Sequence, residues 1–131
     1  MRLLMFHVES FWYRVNEKDA SDEGISLGEN LLVWIQSEAA DKLDRAGVLR
    51  KTVKNIRWLA KKIDITDIIL HPFAHLGDSK SDPDFAEGIL SETSQRLLER
   101  DYHVHVVPYG VFTEFKMHVK GPSLAKVFKQ L

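Results

Sequence analysis

The sequence predicts a single mixed α/β domain. Three observations carry that prediction: continuous apolar runs such as Leu3-Leu4-Met5-Phe6 and Ile68-Ile69-Leu70, one stretch with a clear helical stripe, and one late segment that alternates strictly between apolar and polar residues. Covered strands, a packed helix and a half-solvated strand belong together in a sheet with helices against it. At 131 residues the chain is long enough for a real core and short for two, so one domain spans residues 1–131.

Residues 2–8 are apolar between their ends and read as a central strand covered on both faces. Residues 11–15 alternate, with Phe11, Tyr13 and Val15 on one side and Trp12 and Arg14 on the other; only Glu9-Ser10 intervenes, which predicts a tight β-hairpin. Residues 16–29 are acidic, contain Gly24 and Gly28, and read as a surface loop. A third strand is expected over residues 31–37, turning polar at Gln36-Ser37. Residues 46–63 form the clearest helix, because Leu49, Val53, Ile56, Ala60 and Ile63 recur with helical spacing. Arg50, Lys54, Arg57 and Lys61 make a second, basic stripe on it.

Residues 67–71 then read as a strand stopped by Pro72, which has no N–H to give to a ladder. Asp82-Pro83 supplies an N-cap and a proline at the first helical position, opening a helix to about residue 100. Residues 103–107 are a strand ended by Pro108-Tyr109-Gly110. Residues 112–120 place Phe115, Met117 and Val119 inward against Glu114, Lys116, His118 and Lys120 outward. Gly121-Pro122 breaks that strand, and Ser123 is expected to cap a short last helix, giving the order ββ-loop-β-α-β-α-β-β-α.

Several function classes are disfavoured. The chain has no cysteine, hence no disulfide, thiol nucleophile or thiolate metal site. A formal charge of −1 argues against a coating, non-specific nucleic-acid binder. No apolar run reaches the length of a membrane span, so a cytoplasmic protein without a membrane partner is expected. Neither a P-loop, a G-x-G-x-x-G nor a G-x-S-x-G elbow is present.

Of the six histidines, His103 and His105 share a face at strand spacing, and His71 and His75 flank a strand end. Their convergence on a metal is a weak reading, because Pro72 keeps His71 and His75 off a shared helix and no HExxH is present; no metal and no cofactor are expected. The basic stripe on the helix is either its wet face or a track for RNA phosphates. The strand-end stretch around Pro72 and the Tyr109-Gly110 turn mark the expected crevice, since loops leaving the carboxyl ends of strands are where α/β sheets gather their sites.

Ile69-Leu70-His71-Pro72-Phe73-Ala74-His75-Leu76 in the middle, with Val107-Pro108-Tyr109-Gly110, Phe115-Lys116, Lys120-Gly121 and Leu124-Ala125 near the end, resembles the N-terminal editing domain of archaeal threonyl-tRNA synthetases. The opening Met1-Arg2-Leu3-Leu4 and His7 resemble it too. That resemblance implies the D-aminoacyl-tRNA deacylase fold and a proofreading deacylase, which hydrolyses serine mischarged on threonine tRNA and spares threonyl-tRNA. By similarity Pro72, Ala74 and His75 line one side of the aminoacyl pocket, Tyr109, Gly110, Phe112 and Thr113 the other, and Ser37 the floor. His75 is the side chain that the resemblance offers for catalysis, with backbone groups and the tRNA 2′-OH expected to dominate. Arg50, Lys54, Arg57 and Lys61 are the candidate contacts to tRNA phosphates.

The resemblance further implies a homodimer and a catalytic synthetase domain in cis or in trans. Trp12, Trp34, Phe11 and Tyr13 add a large apolar stock that suggests dimer burial. Family members carry a lysine at the position of Thr113, a glutamate at that of Lys126 and an aromatic at that of Val111. Those departures leave an alternative: a catalytically decayed module of the same fold that holds tRNA or assembles with a synthetase.

Overall fold

The computed structural model describes residues 1–15 and 23–131. Its strands are β1 (Arg2–Val15), β2 (Ile25–Leu27), β3 (Asn30–Gln36), β4 (Asp67–Pro72), β5 (His103–Val106), β6 (Thr113–Val119) and β7 (Lys126–Gln130). Its helices are α1 (Arg45–Lys62), led in by 3-10 turns over Ala39–Asp44, and α2 (Pro83–Leu98). Both begin as local chemistry dictates: Asp44 accepts from the Gly47 N–H and Asp82 from the Phe85 N–H, each at 3.1 Å, with Pro83 following Asp82.

The strands join in one mixed sheet. β3, β4 and β5 run parallel, linked through α1 and α2, with Ile35 opposite Pro72 and Leu70 opposite Val106. β1 runs antiparallel to everything it touches. Its first half pairs with β3 on one side, from Arg2↔Gln36 to Val8↔Asn30, and with β7 on the other. Its second half pairs with β2 and β6.

The expected hairpin at Glu9-Ser10 is therefore not there. The register against β6 shifts between Val8 and Ser10 while pairing continues, so the two exposed polar residues form a bulge within one long strand. A two-residue hairpin needs positive φ in its turn, and the only non-glycine residues with positive φ among those described are Asp64 and Asp101. Of the expected loop over residues 16–29, residues 16–22 lie outside the described residues, and the remainder contains β2. The expected last helix is also replaced: one 3-10 turn at Ser123–Ala125 leads into β7, whose residues alternate exposed and half-buried.

The bulged β1 lets one strand serve two cores. Leu3 and Met5 join Val33, Ile68 and Leu70 beneath Leu49, Ile56, Ile89 and Leu97 of the helices. Beyond the bulge, Phe11 and Tyr13 cover the opposite face of the sheet with Leu32, Ile69, Val107 and, from β6, Phe115 and Met117. Phe11 and Tyr13 are thus buried within the domain, 1% and 3% exposed, so they are not the surplus that the sequence suggested for a dimer face.

Candidate active site

Two parallel strands end side by side and leave a cleft. Pro72 closes β4, but the pairing reaches one step farther, because the Phe73 N–H donates to the Ile35 carbonyl at 3.0 Å. Gln36, only 4% exposed, then acts as a clamp on the chain that follows. Its Nε2 donates to the carbonyls of Gly77 (2.8 Å) and Ser79 (2.9 Å), and its Oε1 accepts from the N–H groups of Leu76 (2.6 Å) and Gly77 (3.1 Å). Ser37 continues the seam, accepting from the Ser81 N–H at 3.1 Å while its hydroxyl meets that of Ser81. Residues 73–81 are thereby stitched to the end of β3.

The opposite wall comes from the other end of the chain. The Val107 N–H donates to the Leu70 carbonyl at 2.9 Å, and then Tyr109, Gly110 and Phe112 swing across the cleft before β6 begins. Gly110 has φ 79°, a conformation that glycine adopts without steric cost. Between the walls lies a cavity of about 640 Å³. Ser37, Pro72, Ala74, His75, Tyr109, Gly110, Phe112 and Thr113 all line it, so the structure brings together every pocket residue that the sequence indicated.

His71 and Phe115 lie deeper in the same cavity. His71 is 3% exposed and ringed by Phe115, Phe11, Phe73 and Trp34 at centroid distances of 5.3 to 6.3 Å. Its Nδ1 has no hydrogen-bond partner, and burial pushes its pKa down to about 4, which keeps the imidazole neutral at ordinary pH. His75 stands at the mouth instead. Its ring meets the edge of Phe73 at 5.5 Å, and Phe73 stacks on Trp34 at 4.2 Å, so an aromatic series holds this histidine in place.

Other expectations fare differently. Among the described residues no group of three His, Cys, Asp or Glu side chains comes together as metal ligands would. The four histidines do not assemble: His103 pairs with Asp67 at 2.9 Å, His105 meets the Tyr13 hydroxyl at 2.7 Å, and His71 and His75 line the cavity. Arg50, Lys54, Arg57 and Lys61 lie along α1 and none of them lines the cavity; Arg57 is half-buried with its Nε unpaired. Lys126 is outside it too, donating to the carbonyls of Lys120 and Gly121. Among the lining residues that sequence reasoning did not assign to the pocket are His71, Phe115, Gln36 and Lys80. A glutamine closing an apolar strand is at least a visible oddity, whereas a lysine in a polar loop carries no signal.

Chemically the cavity is a largely apolar space with polar edges and one cationic side chain, Lys80. No carboxylate lines it among the described residues, and its hydroxyls lack the base and orienting acid of a nucleophilic triad. What it offers is backbone. The N–H groups of Ala74 and His75, two of the lining residues, have no acceptor among the described residues.

Over residues 1–131 the chain matches the model of the archaea-specific editing domain of threonyl-tRNA synthetase. It belongs to that family. Threonine–tRNA ligases of Thermococcus kodakarensis and Thermococcus gammatolerans are 33% and 32% identical to it over 139 residues. That of Methanosphaera stadtmanae is 31% identical over 138. Each alignment takes in the whole chain, which spans 22% of the length of these relatives. A probable eukaryotic D-amino acid tRNA deacylase has the same fold, with a TM-score of 0.73 at 13% identity over 98% of this chain and 97% of that one. The c-Myc DNA unwinding element binding protein follows at 0.64 and 14%, covering 100% and 99%. This editing domain of the threonyl-tRNA synthetase family thus has the mixed α/β, deacylase-like fold expected of it.

Proposed function

We propose that this editing domain hydrolyses the ester of L-seryl-tRNA(Thr) and leaves threonyl-tRNA(Thr) intact. The observation that carries the reading is the cavity, where the Pro72–His75 and Tyr109–Thr113 segments face one another across a space suited to a small aminoacyl group. Water adds to the ester carbonyl, the resulting oxyanion takes donors, and the bond to the ribose oxygen breaks with transfer of a proton to it, releasing serine and tRNA. The N–H groups of Ala74 and His75, which have no acceptor among the described residues and belong to lining residues, supply those donors. The terminal 2′-OH guides the water, with His75 in a supporting part. Serine and threonine differ by one methyl. A rigid wall rejects that methyl sterically, whereas preferring a ligand for an added methylene is worth only about 1–3 kcal/mol.

The test is deacylation of labelled seryl- and threonyl-tRNA(Thr). Selective loss of serine is expected, and equal decay of both at the uncatalysed rate overturns the proposal. Thr113→Ala should retain most activity and His75→Ala should lose it moderately, while a 2′-deoxy terminal adenosine should nearly abolish turnover without weakening binding. Thr113 at the family's lysine position supports one rival, a tRNA-holding module; tight tRNA binding without hydrolysis selects it.

Assembly belongs to the same proposal. The relatives' greater length supports a catalytic synthetase domain acting with this one in the cytoplasm, and the exposed Arg50, Lys54 and Lys61 suit contact with acceptor-stem phosphates. A homodimer has Phe128, half-exposed on the edge strand β7, as its support, and sedimentation of the 15.1 kDa species alone at micromolar concentration removes it.

A further inference from the structure

Beside the main cavity opens a second recess of about 450 Å³, lined by Ala74, His75, Leu76, Gly77, Asp78 and Lys80. Ala74, His75 and Lys80 line both, so they form the sill between the two spaces. The main cavity is mostly apolar; the recess is walled by the polar loop that Gln36 clamps.

Lys80 stands out among the described lysines near the site. Lys42 is paired with Asp82, Lys120 with Glu9 and Glu29, and Lys126 with two carbonyls. Lys80 is exposed and has no hydrogen bond or ion pair among the described residues. Its backbone is nonetheless fixed on both sides. Ser79 gives its carbonyl to Gln36 and its hydroxyl oxygen to the Ala39 N–H (3.2 Å), and the Ser81 N–H is held by Ser37 (3.1 Å). A fixed root with an uncommitted charge is the arrangement that binds an anion at small ordering cost.

We propose that Lys80 binds the 5′-phosphate of the terminal nucleotide of the substrate at this sill. The inference rests on the proposed function: with the aminoacyl group in the main cavity, its ribose leaves through the mouth, and the first charged group of the polynucleotide follows directly. No carboxylate lines the main cavity to oppose it. Asp78, across the recess, disfavours an anion lodged deep there and keeps the phosphate at the sill. Lys80 thus anchors the end of the chain without touching the reacting carbonyl.

The test uses 3′-(L-seryl)amino-3′-deoxyadenosine, which cannot be hydrolysed as an ester, with and without a 5′-phosphate, bound to the full chain and followed by calorimetry. The phosphate should tighten binding to the wild type about tenfold, the size of a charge-assisted hydrogen bond. Lys80→Met should erase that increment and leave affinity for the unphosphorylated analogue unchanged; Lys80→Arg should keep most of it. With seryl-tRNA, Lys80→Met should raise KM and spare kcat. No phosphate increment in the wild type, an increment that survives Lys80→Met, or equal weakening of both analogues overturns the assignment. Because binding is read without turnover, a domain that fails to hydrolyse seryl-tRNA refutes the proposed function and still reports on Lys80.

Discussion

The two walls of the cleft are built on opposite principles. The wall over residues 73–81 is sewn to the end of β3 through the four hydrogen bonds of Gln36 and the Ser37–Ser81 pair, and to the start of β1 through the donation from Arg2 to the Leu76 carbonyl. The wall over residues 109–112 crosses on a positive-φ glycine and ends in Phe112, which is 85% exposed. One wall is held by the fold and the other is presented to whatever enters. A pocket that must reject a single methyl needs rigidity on one side, and a pocket that admits a macromolecule's end needs access on the other.

Beneath the two walls lies His71, between Phe73 of the stitched wall and Phe115 of β6, and here the largest effect is expected. In the unfolded chain its pKa returns to 6.5; in the fold burial lowers it to about 4. The folded state therefore binds fewer protons in this window. The contribution is fully present above pH 6.5 and is lost as pH falls toward 4, amounting to about 3 kcal/mol over that span. Denaturant titrations between pH 7 and 4 should show the fall in the wild type and a flatter curve in His71→Leu. Glu29, Glu38 and Asp82 also have lowered pKa values, but they act in both proteins, so the difference between the curves isolates His71. Parallel curves would mean that the walls do not seal this floor from water.

Gln36→Ala comes next. It strips four hydrogen bonds from a buried seam, for about 2–3 kcal/mol of stability after the usual compensation by solvent. Amide exchange at Leu76 and Gly77 should accelerate sharply, and seryl-tRNA deacylation should fall at least tenfold because Ala74, His75 and Lys80 all ride on this segment. On the looser wall, Gly110→Ala should cost only about 1 kcal/mol, the conformational cost of positive φ. A Cβ there would meet nothing within 4 Å. Urea midpoints of the two variants compare the walls directly, and equal shifts would erase the distinction.

Much of this arrangement was readable beforehand, and the misses have physical causes. The parallel strands and both helices follow from period and capping, which act within a few residues. The place of the cleft follows from Pro72 and from Pro108-Tyr109-Gly110, because proline and glycine mark where strands must end; the eight residues named for it came from the family resemblance, and all of them line the cavity. The hairpin misreading treats Glu9-Ser10 as a break in apolar content, but exposure at a bulge produces the same polar gap without turning the chain. Lys126–Gln130 alternates like any edge strand; a serine before it and its short length drew the helical reading. The Gln36 clamp joins groups some 40 positions apart, a relation that no local spacing encodes.

The smallest effect on stability is expected at Phe112, and it sharpens the contrast most. A side chain 85% exposed at the cleft mouth contributes little to the core, so Phe112→Ala should change unfolding free energy by less than about 0.5 kcal/mol. Yet an exposed aromatic beside the cavity proposed to take the acylated nucleotide end has apolar area to offer the ligand. Contact with the sugar or base of the terminal nucleotide, if only partial, should make kcat/KM for seryl-tRNA fall about fivefold, equivalent to about 1 kcal/mol. Thermal melts and deacylation kinetics on the same preparation separate the two roles. A large drop in Tm would mean that Phe112 is packed as part of the fold. Unchanged Tm with unchanged kinetics would show that the open wall takes no part in binding, leaving the stitched wall alone to hold the substrate.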